Sequence, residues 1–287
     1  MVQGAVVVLI AGVVLYALFL AWVRLVHDRL AFPGAGLTVE PVTAADTPFG
    51  FEDLHLPVTG TTTVHAWWIP AAGGEEEAPT LLYFHGNGYA LEQQAEVEAP
   101  ALHETGMNLL LVDYRGYGTS SPLRTTAAST EADALAALDH LTGGRGIPPS
   151  RIWIGGRSIG SAVATRLAAR APGCAGLLLV SPLTNTVDIR PFGPVLRPLT
   201  WLGLTRAFDS RRRIATLRVP VLLLSGTADT LATPAMARAL YDRAPGPKRL
   251  DLVEGAGHNG FWQVGRAQAV EAITRTVRAR AVGGTAE

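Results

Sequence analysis

The chain has 287 residues, 24 basic and 24 acidic side chains, and therefore a formal net charge of zero. That length supports one large domain or two small ones around a substantial core. The even charge, with no basic cluster interleaved with aromatics, argues against a nucleic-acid partner. A single cysteine, Cys174, excludes an intrachain disulfide and reads as a small core residue, and no spacing of His, Cys or carboxylates resembles a metal site.

Residues Val2 to Val23 carry no charged side chain. As a helix rising about 1.5 Å per residue they would span roughly 33 Å, enough for a hydrocarbon core of about 30 Å. No Lys or Arg precedes the run, and bulky residues (Leu18 to Val23) occupy its end, so it is a poor signal peptide. The expectation is one N-terminal transmembrane helix over residues 1–25, a single-pass anchor in preference to a buried core helix. Arg24 and Arg29 come directly after it, which places the rest of the chain on the cytoplasmic side. Residues 26–50, rich in Pro, Gly, Thr and Ala from Ala31 on, read as a linker or surface-hugging lead-in. The globular domain is expected over 51–287.

Phe51–Pro57 and Thr63–Pro70 alternate in the manner of two antiparallel strands joined at Thr59-Gly60, with His55 and His65 on strand faces. Residues 73–79 form a polar loop. The grammar then changes. Apolar strands at Thr80–His85, Asn108–Asp113, Ile152–Ile154, Leu177–Val180, Val219–Leu224 and Arg249–Val253 alternate with helical patterns. The helices are expected near Ala90–Thr105, Ser129–Leu141 and Ile159–Arg170, with another opened by Thr233-Pro234. Strands apolar on both faces, with helices between them, predict an α/β fold with a mostly parallel twisted sheet covered on both sides. In such sheets the ligand sits beyond the C-terminal strand ends. The residues at the C-terminal end of each strand are therefore the informative ones.

After Ile152–Ile154 comes Gly156-Arg157-Ser158-Ile159-Gly160, a G-x-S-x-G pattern between strand and helix. So tight a turn needs glycine at 156 and 160 and holds Ser158 above the sheet at a helix N-terminus. The Ile159 N–H is then aimed where an oxyanion forms. With 31 glycines in the chain, a glycine-rich turn carrying an incidental serine is the competing reading. Ser161 is a rival nucleophile but lies inside the helix. After Thr80–His85 come Gly86-Asn87-Gly88: the Asn87 N–H is the expected second oxyanion donor, and His85 orients the loop without acting as the base. After Asn108–Asp113 comes Tyr114-Arg115-Gly116-Tyr117-Gly118. Here Asp113 and Arg115 read as a buried, hydrogen-bonded turn that supports the site, in preference to a catalytic pair. Beyond the last two strands stand Asp229 and His258. The order Ser158, Asp229, His258 is that expected of an α/β-hydrolase triad, and it makes coincidence much less plausible. Asp188, Asp251 and Glu254 compete for the acid's role. Asp251 would lie within a strand, and Glu254 is too close in sequence to His258 to face it easily.

These stretches together resemble the α/β-hydrolase superfamily, nearest to the bud-emergence-type abhydrolase-domain serine hydrolases. The resemblance rests on Phe84 to Gly88, Asp113 to Gly118, Gly156 to Gly160, Ser181-Pro182, Phe208 to Ser210, Gly226 to Asp229, Ala244 to Lys248 and Gly255 to Asn259. It covers roughly Phe51 to Val282 and is specific at the superfamily level. Gly88 and the turn Leu231-Ala232-Thr233-Pro234 depart from the group's usual residues without touching a triad position. The resemblance implies a cofactor-free serine hydrolase acting on ester-type acyl bonds, in a group whose members often carry a membrane anchor. A site close to a membrane would suit small or lipid-like acyl substrates, a reading from location alone. A thioesterase, protein deacylase or peptidase would use the same triad, and a non-catalytic membrane-tethered scaffold is the alternative from another class. The 37 residues 182–218 between Ser181 and Val219 occupy the usual place of a lid. They read equally as a short connection packed on the sheet or as a small apolar cap over an acyl pocket.

Overall fold

The structure, a computed structural model, describes residues 2–186, 188 and 208–283. The cap-like connection expected over 182–218 therefore lies largely outside the described residues. The chain opens with a helix of 30 residues, α1 (Val2–Ala31). Its first turns carry Val6 to Ile10, Val13 to Leu15, Leu18 and Trp22 with large exposures to solvent. Among the described residues no helix is long and apolar enough to cross a membrane. The described side chains of α1 run unbroken only from Gln3 to Phe19, and the expected span from Val2 to Val23 includes side chains (Val2, Leu20, Val23) outside the described residues.

The sheet begins with a hairpin, β1 (Glu52–Thr59) and β2 (Thr62–Ile69). It continues with β3 (Thr80–Phe84), the short helices α2 (Leu91–Gln94) and α3 (Glu98–His103), β4 (Asn108–Val112) and α4 (Ala127–Asp139). Next come β5 (Ile152–Arg157), α5 (Ile159–Ala168), β6 (Gly176–Val180) and α6 (Ser210–Ile214). The chain closes with β7 (Val221–Gly226), α7 (Pro234–Arg243), β8 (Lys248–Val253) and α8 (Phe261–Gly283). The strands lie in the order β1-β2-β4-β3-β5-β6-β7-β8; β2 is antiparallel to both its neighbours, and all pairs from β4 to β8 are parallel.

The period-two geometry of the strands divides the core in two. Leu82, Phe84, Leu110, Ile154, Leu179 and Leu223 face one layer, filled by Ala134 of α4, Val163 and Leu167 of α5, Ile214 of α6 and Leu240 of α7. Their alternates Leu81, Tyr83, Leu111, Trp153, Leu178 and Leu222 face the other, filled by Leu91, Leu102 and the α8 residues Phe261, Trp262 and Ile273. Burial on both faces is why these strands are continuously apolar.

Three local expectations are revised. The helix expected over 90–105 is split into α2 and α3, because Pro100 lacks an N–H and its ring excludes the carbonyl four residues earlier. Arg211 to Arg213, a basic run that the sequence suggests as the solvated start of a turn in preference to a binding patch, lie instead within α6, and Arg211 Nη2 stands 3.3 Å from Asp188. The long α8 adds an element beyond His258 that the apolar pattern did not reveal. Elsewhere the strand bounds agree with the pattern to within a few residues.

Candidate active site

Strand β5 is buried along its whole length and ends directly in α5, with Ser158 as the N-cap at φ 55° and ψ −120°. Among the described non-glycine residues only Ser158 and Ser181 have positive φ. Such backbone costs on the order of 1–3 kcal/mol and persists only where its surroundings over-determine it. Here they do. A Cβ on Gly160 would overlap the carbonyl oxygens of Phe84 and His85, and one on Gly156 would meet the Gly160 backbone and come within 2.8 Å of Phe84 O. The Ser158 N–H donates to Val180 O at 3.0 Å, tying the turn to β6. Ser161, the rival hydroxyl, is fully buried; it donates to Ser158 O at 2.5 Å and accepts from the Leu183 N–H at 3.1 Å. It braces the turn.

The loops after β7 and β8 bring the other two residues to Ser158. His258 Nε2 lies 3.1 Å from Ser158 Oγ, and His258 Nδ1 lies 2.8 Å from Asp229 Oδ2. The other oxygen of Asp229 accepts the N–H groups of Leu231 (2.9 Å) and Ala232 (2.8 Å). Burial opposes charge on Asp229, but His258 and these two N–H groups outweigh it and hold the carboxyl below its usual range. An ionised Asp229 fixes the tautomer in which Nδ1 carries the proton and Nε2 accepts from the serine hydroxyl.

The competing acids are engaged elsewhere. Asp188 accepts from Thr184 and Asn185, Asp251 pairs with Arg249 at 2.9 Å, and Glu254 is exposed. Cys174 is buried, and burial pushes its thiol up to about 11, which leaves it inert at neutral pH.

The loop after β3 runs alongside: a Cβ on Gly86 would sit 3.7 Å from the Ser158 Cβ. Asn87 in that loop is held at both its amide and its carbonyl. Its Nδ2 donates to Ala31 O at 2.8 Å, and its carbonyl accepts from Tyr117 Oη at 2.8 Å and from the Gly34 N–H at 3.0 Å. His85 is fully buried beneath it, Nδ1 donating to Gly86 O at 2.5 Å and Nε2 standing 3.0 Å from Asp113 Oδ1. Asp113 also accepts the Leu91 N–H at 3.1 Å and faces His65 Nδ1 at 3.4 Å. Asp113 and Arg115 do not meet: Arg115 grips Asp133 through its side chain at 2.6 and 2.9 Å and through its backbone N–H at 3.0 Å.

One group at the site escaped the motif. Arg157, the residue before Ser158, is only 6% exposed. Its Nη2 donates to the backbone carbonyl of His258 at 2.5 Å and its Nη1 to Tyr89 Oη at 2.5 Å. Tyr89 passes the chain to Glu98, which also accepts from Tyr83 at 2.6 Å and Trp262 at 3.0 Å. Burial resists the charge on Arg157, yet the neighbouring Tyr89 and Glu98 hold it firmly protonated. The available signal was a charged residue in a strand otherwise apolar, which demands a buried partner.

A parallel sheet with a serine at a strand-to-helix turn, and a His–Asp pair delivered by the last two strand ends, defines an α/β hydrolase. The comparisons agree. The family model described as alpha/beta hydrolase fold matches residues 79–198. An alpha/beta hydrolase domain-containing protein of Arabidopsis thaliana, WAV2, is 30% identical over 256 residues, covering 83% of this chain and 79% of its own. An uncharacterized Mycobacterium tuberculosis protein is 34% identical over 98% of this chain and 95% of its own. The Pyrococcus furiosus esterase Pf2001 superposes with a TM-score of 0.67 at 20% identity, over 84% of this chain and 95% of that one, a likeness of fold alone. The chain belongs to the α/β-hydrolase superfamily.

Proposed function

We propose that the protein is a serine hydrolase that cleaves carboxylic ester-type acyl bonds through an acyl-enzyme. The observation that carries this reading is His258 bridging Ser158 Oγ and Asp229 at 3.1 and 2.8 Å. His258 Nε2 takes the hydroxyl proton as Ser158 Oγ attacks the acyl carbon, and Asp229 stabilises the imidazolium that forms. The N–H groups of Ile159 and Asn87 receive the oxyanion, each such donor being worth about 3–4 kcal/mol in the transition state. The acyl carbon–oxygen bond then breaks and the departing alkoxide takes the proton from His258 Nε2. Water enters, gives a proton to His258 and attacks the acyl-enzyme carbonyl. The acid leaves and the proton returns to Ser158.

The substrate is read as a small or lipid-like ester met at a membrane. Support comes from α1, whose described side chains from Gln3 to Phe19 carry no charge and are exposed along their length. Arg24 and Arg29 favour a cytoplasmic domain. Partition of the full chain between membrane and alkaline carbonate extract tests the location: recovery in the soluble fraction would remove the membrane from the reading. The chemistry is tested by fluorophosphonate labelling of the full chain beside its Ser158→Ala variant. Labelling confined to the wild type supports the assignment, and a folded wild type that does not label sinks it. Ester, thioester and peptide donors then separate esterase from thioesterase and peptidase.

A further inference from the structure

The chain that leaves α1 docks at once on the loop that carries Asn87. Ala31 is the last residue of α1, and its carbonyl, an orphan acceptor at a helix end, receives Asn87 Nδ2 at 2.8 Å. Three residues on, the Gly34 N–H donates to Asn87 O at 3.0 Å, and the Gly36 N–H donates to Gly116 O at 2.7 Å. Between them Phe32 is 3% exposed, its ring 5.8 Å from that of Tyr114 and 6.4 Å from that of Tyr117. Gly34 is required for closeness: a Cβ there would stand 2.7 Å from Asn87 O and 2.8 Å from the Tyr117 ring. Asn87 is thus clamped between Tyr117 of the sheet domain and a strap that belongs to neither sheet nor core helix.

We propose that residues Ala31 to Gly36 are positioning residues for acyl transfer, holding the Asn87 N–H aimed at the oxyanion beside Ser158. This rests on the serine-hydrolase reading above. An oxyanion donor works only at hydrogen-bond distance from where the charge develops, so small displacements of its loop are felt in turnover. The strap also joins the exposed apolar helix to the Asn87 loop with no spacer.

The test uses the full chain in detergent micelles with a short-chain 4-nitrophenyl ester, comparing wild type with Gly34→Ala and Asn87→Ala. Gly34→Ala pushes the strap off Asn87, while Asn87→Ala keeps the N–H and removes the tie to Ala31. The expected result is a fall in kcat of about tenfold or more, with KM within about twofold, in each variant. The folded fraction at the assay temperature, read by circular dichroism, stays at the wild-type level. If Gly34→Ala does not fold, Asn87→Ala decides alone. A kcat near wild type, or a loss matched by loss of folded protein, overturns the strap's role while leaving the hydrolase intact. A wild type that neither labels nor turns over is a different outcome, which removes the hydrolase reading and the strap's role with it.

Discussion

Among the described residues, histidine–aspartate pairs of similar geometry stand at two places beside the sheet, and their surroundings differ. At the site, His258 meets Asp229 at 2.8 Å through Nδ1 and turns Nε2 to the Ser158 hydroxyl. In the interior, Asp113 sits between two imidazoles, 3.0 Å from His85 Nε2 and 3.4 Å from His65 Nδ1. The second nitrogen of each is already engaged: His85 Nδ1 with Gly86 O at 2.5 Å, His65 Nε2 with Asp53 Oδ1 at 2.6 Å. A His–Asp contact by itself therefore marks nothing. What separates a candidate base from a brace is a nitrogen left to face a nucleophile, with enough exposure for substrate to arrive.

The sharpest way to break that contrast is to remove the groups on the open side. Ser158→Ala or His258→Ala should take ester turnover to the assay floor, a loss on the order of 10⁶ in kcat for triads of this kind. Circular dichroism should report an unchanged fold. Substantial turnover in either variant would move the nucleophile or base elsewhere. Asp229→Asn is expected to cost less, about 10³ to 10⁴ in kcat, because the amide favours the wrong tautomer but keeps the geometry. A loss below tenfold would hand the acid's role to another carboxylate.

The open histidine was legible in the chain because each of its partners stands at a strand end. The turn residues at 156 and 160, the order Ser158, Asp229, His258 and the apolar strands all speak through local pattern. Arg157 was visible but mute, as the free position of a motif whose fixed positions took the attention. Its partners Tyr89, Glu98 and Trp262 come from three separate elements, and no local rule joins them. The tie between Gly34 and Asn87 is of the same kind. Pro100 was legible as a helix breaker, yet the apolar run through it was stronger to read. Helix α8 carries its apolar residues Phe261, Ala269, Ile273 and Val277 among several arginines, and no turn motif announced it.

Arg157 gives the contrast an intermediate case, since it holds the backbone of the catalytic candidate without touching its ring. Arg157→Met removes the donors to the half-buried His258 O and Tyr89 Oη and leaves those acceptors without them. We expect a loss of about 2–4 kcal/mol in urea unfolding. Below the transition, kcat should fall by about tenfold as the His258 loop loosens. Arg157→Lys restores the charge without the two-armed reach, so it should recover stability better than turnover. Equal recovery of both would reduce Arg157 to a stabilising residue.

The smallest effect belongs to the closed side. Burial works against charge on His65, but the hydrogen bond and charge of Asp113, then those of Asp53, outweigh it and raise the imidazole above its ordinary 6.5. Facing it are Asp53 and the stacked ring of His55 from β1, Trp67 from its own strand, Glu92 from α2 and Asp113 after β4. Burial raises the Glu92 carboxyl, whereas Asp113, despite its burial, is held below its usual value by His65 and His85. A raised imidazole stabilises the fold fully below its unfolded value and loses that contribution as pH climbs through the folded one. His65→Gln removes the titration while keeping a polar amide in place. Its melting temperature should lie furthest below wild type near pH 6, and the gap should close as pH rises past the raised value. Its kcat should stay within about twofold of wild type, because no nitrogen of His65 reaches the reacting atoms. A gap that widens with pH would mean that the buried imidazole is neutral. A large loss of kcat would mean that the interior pair reaches the Asn87 loop through Asp113 and His85, and that the two pairs are less separate than their geometry implies.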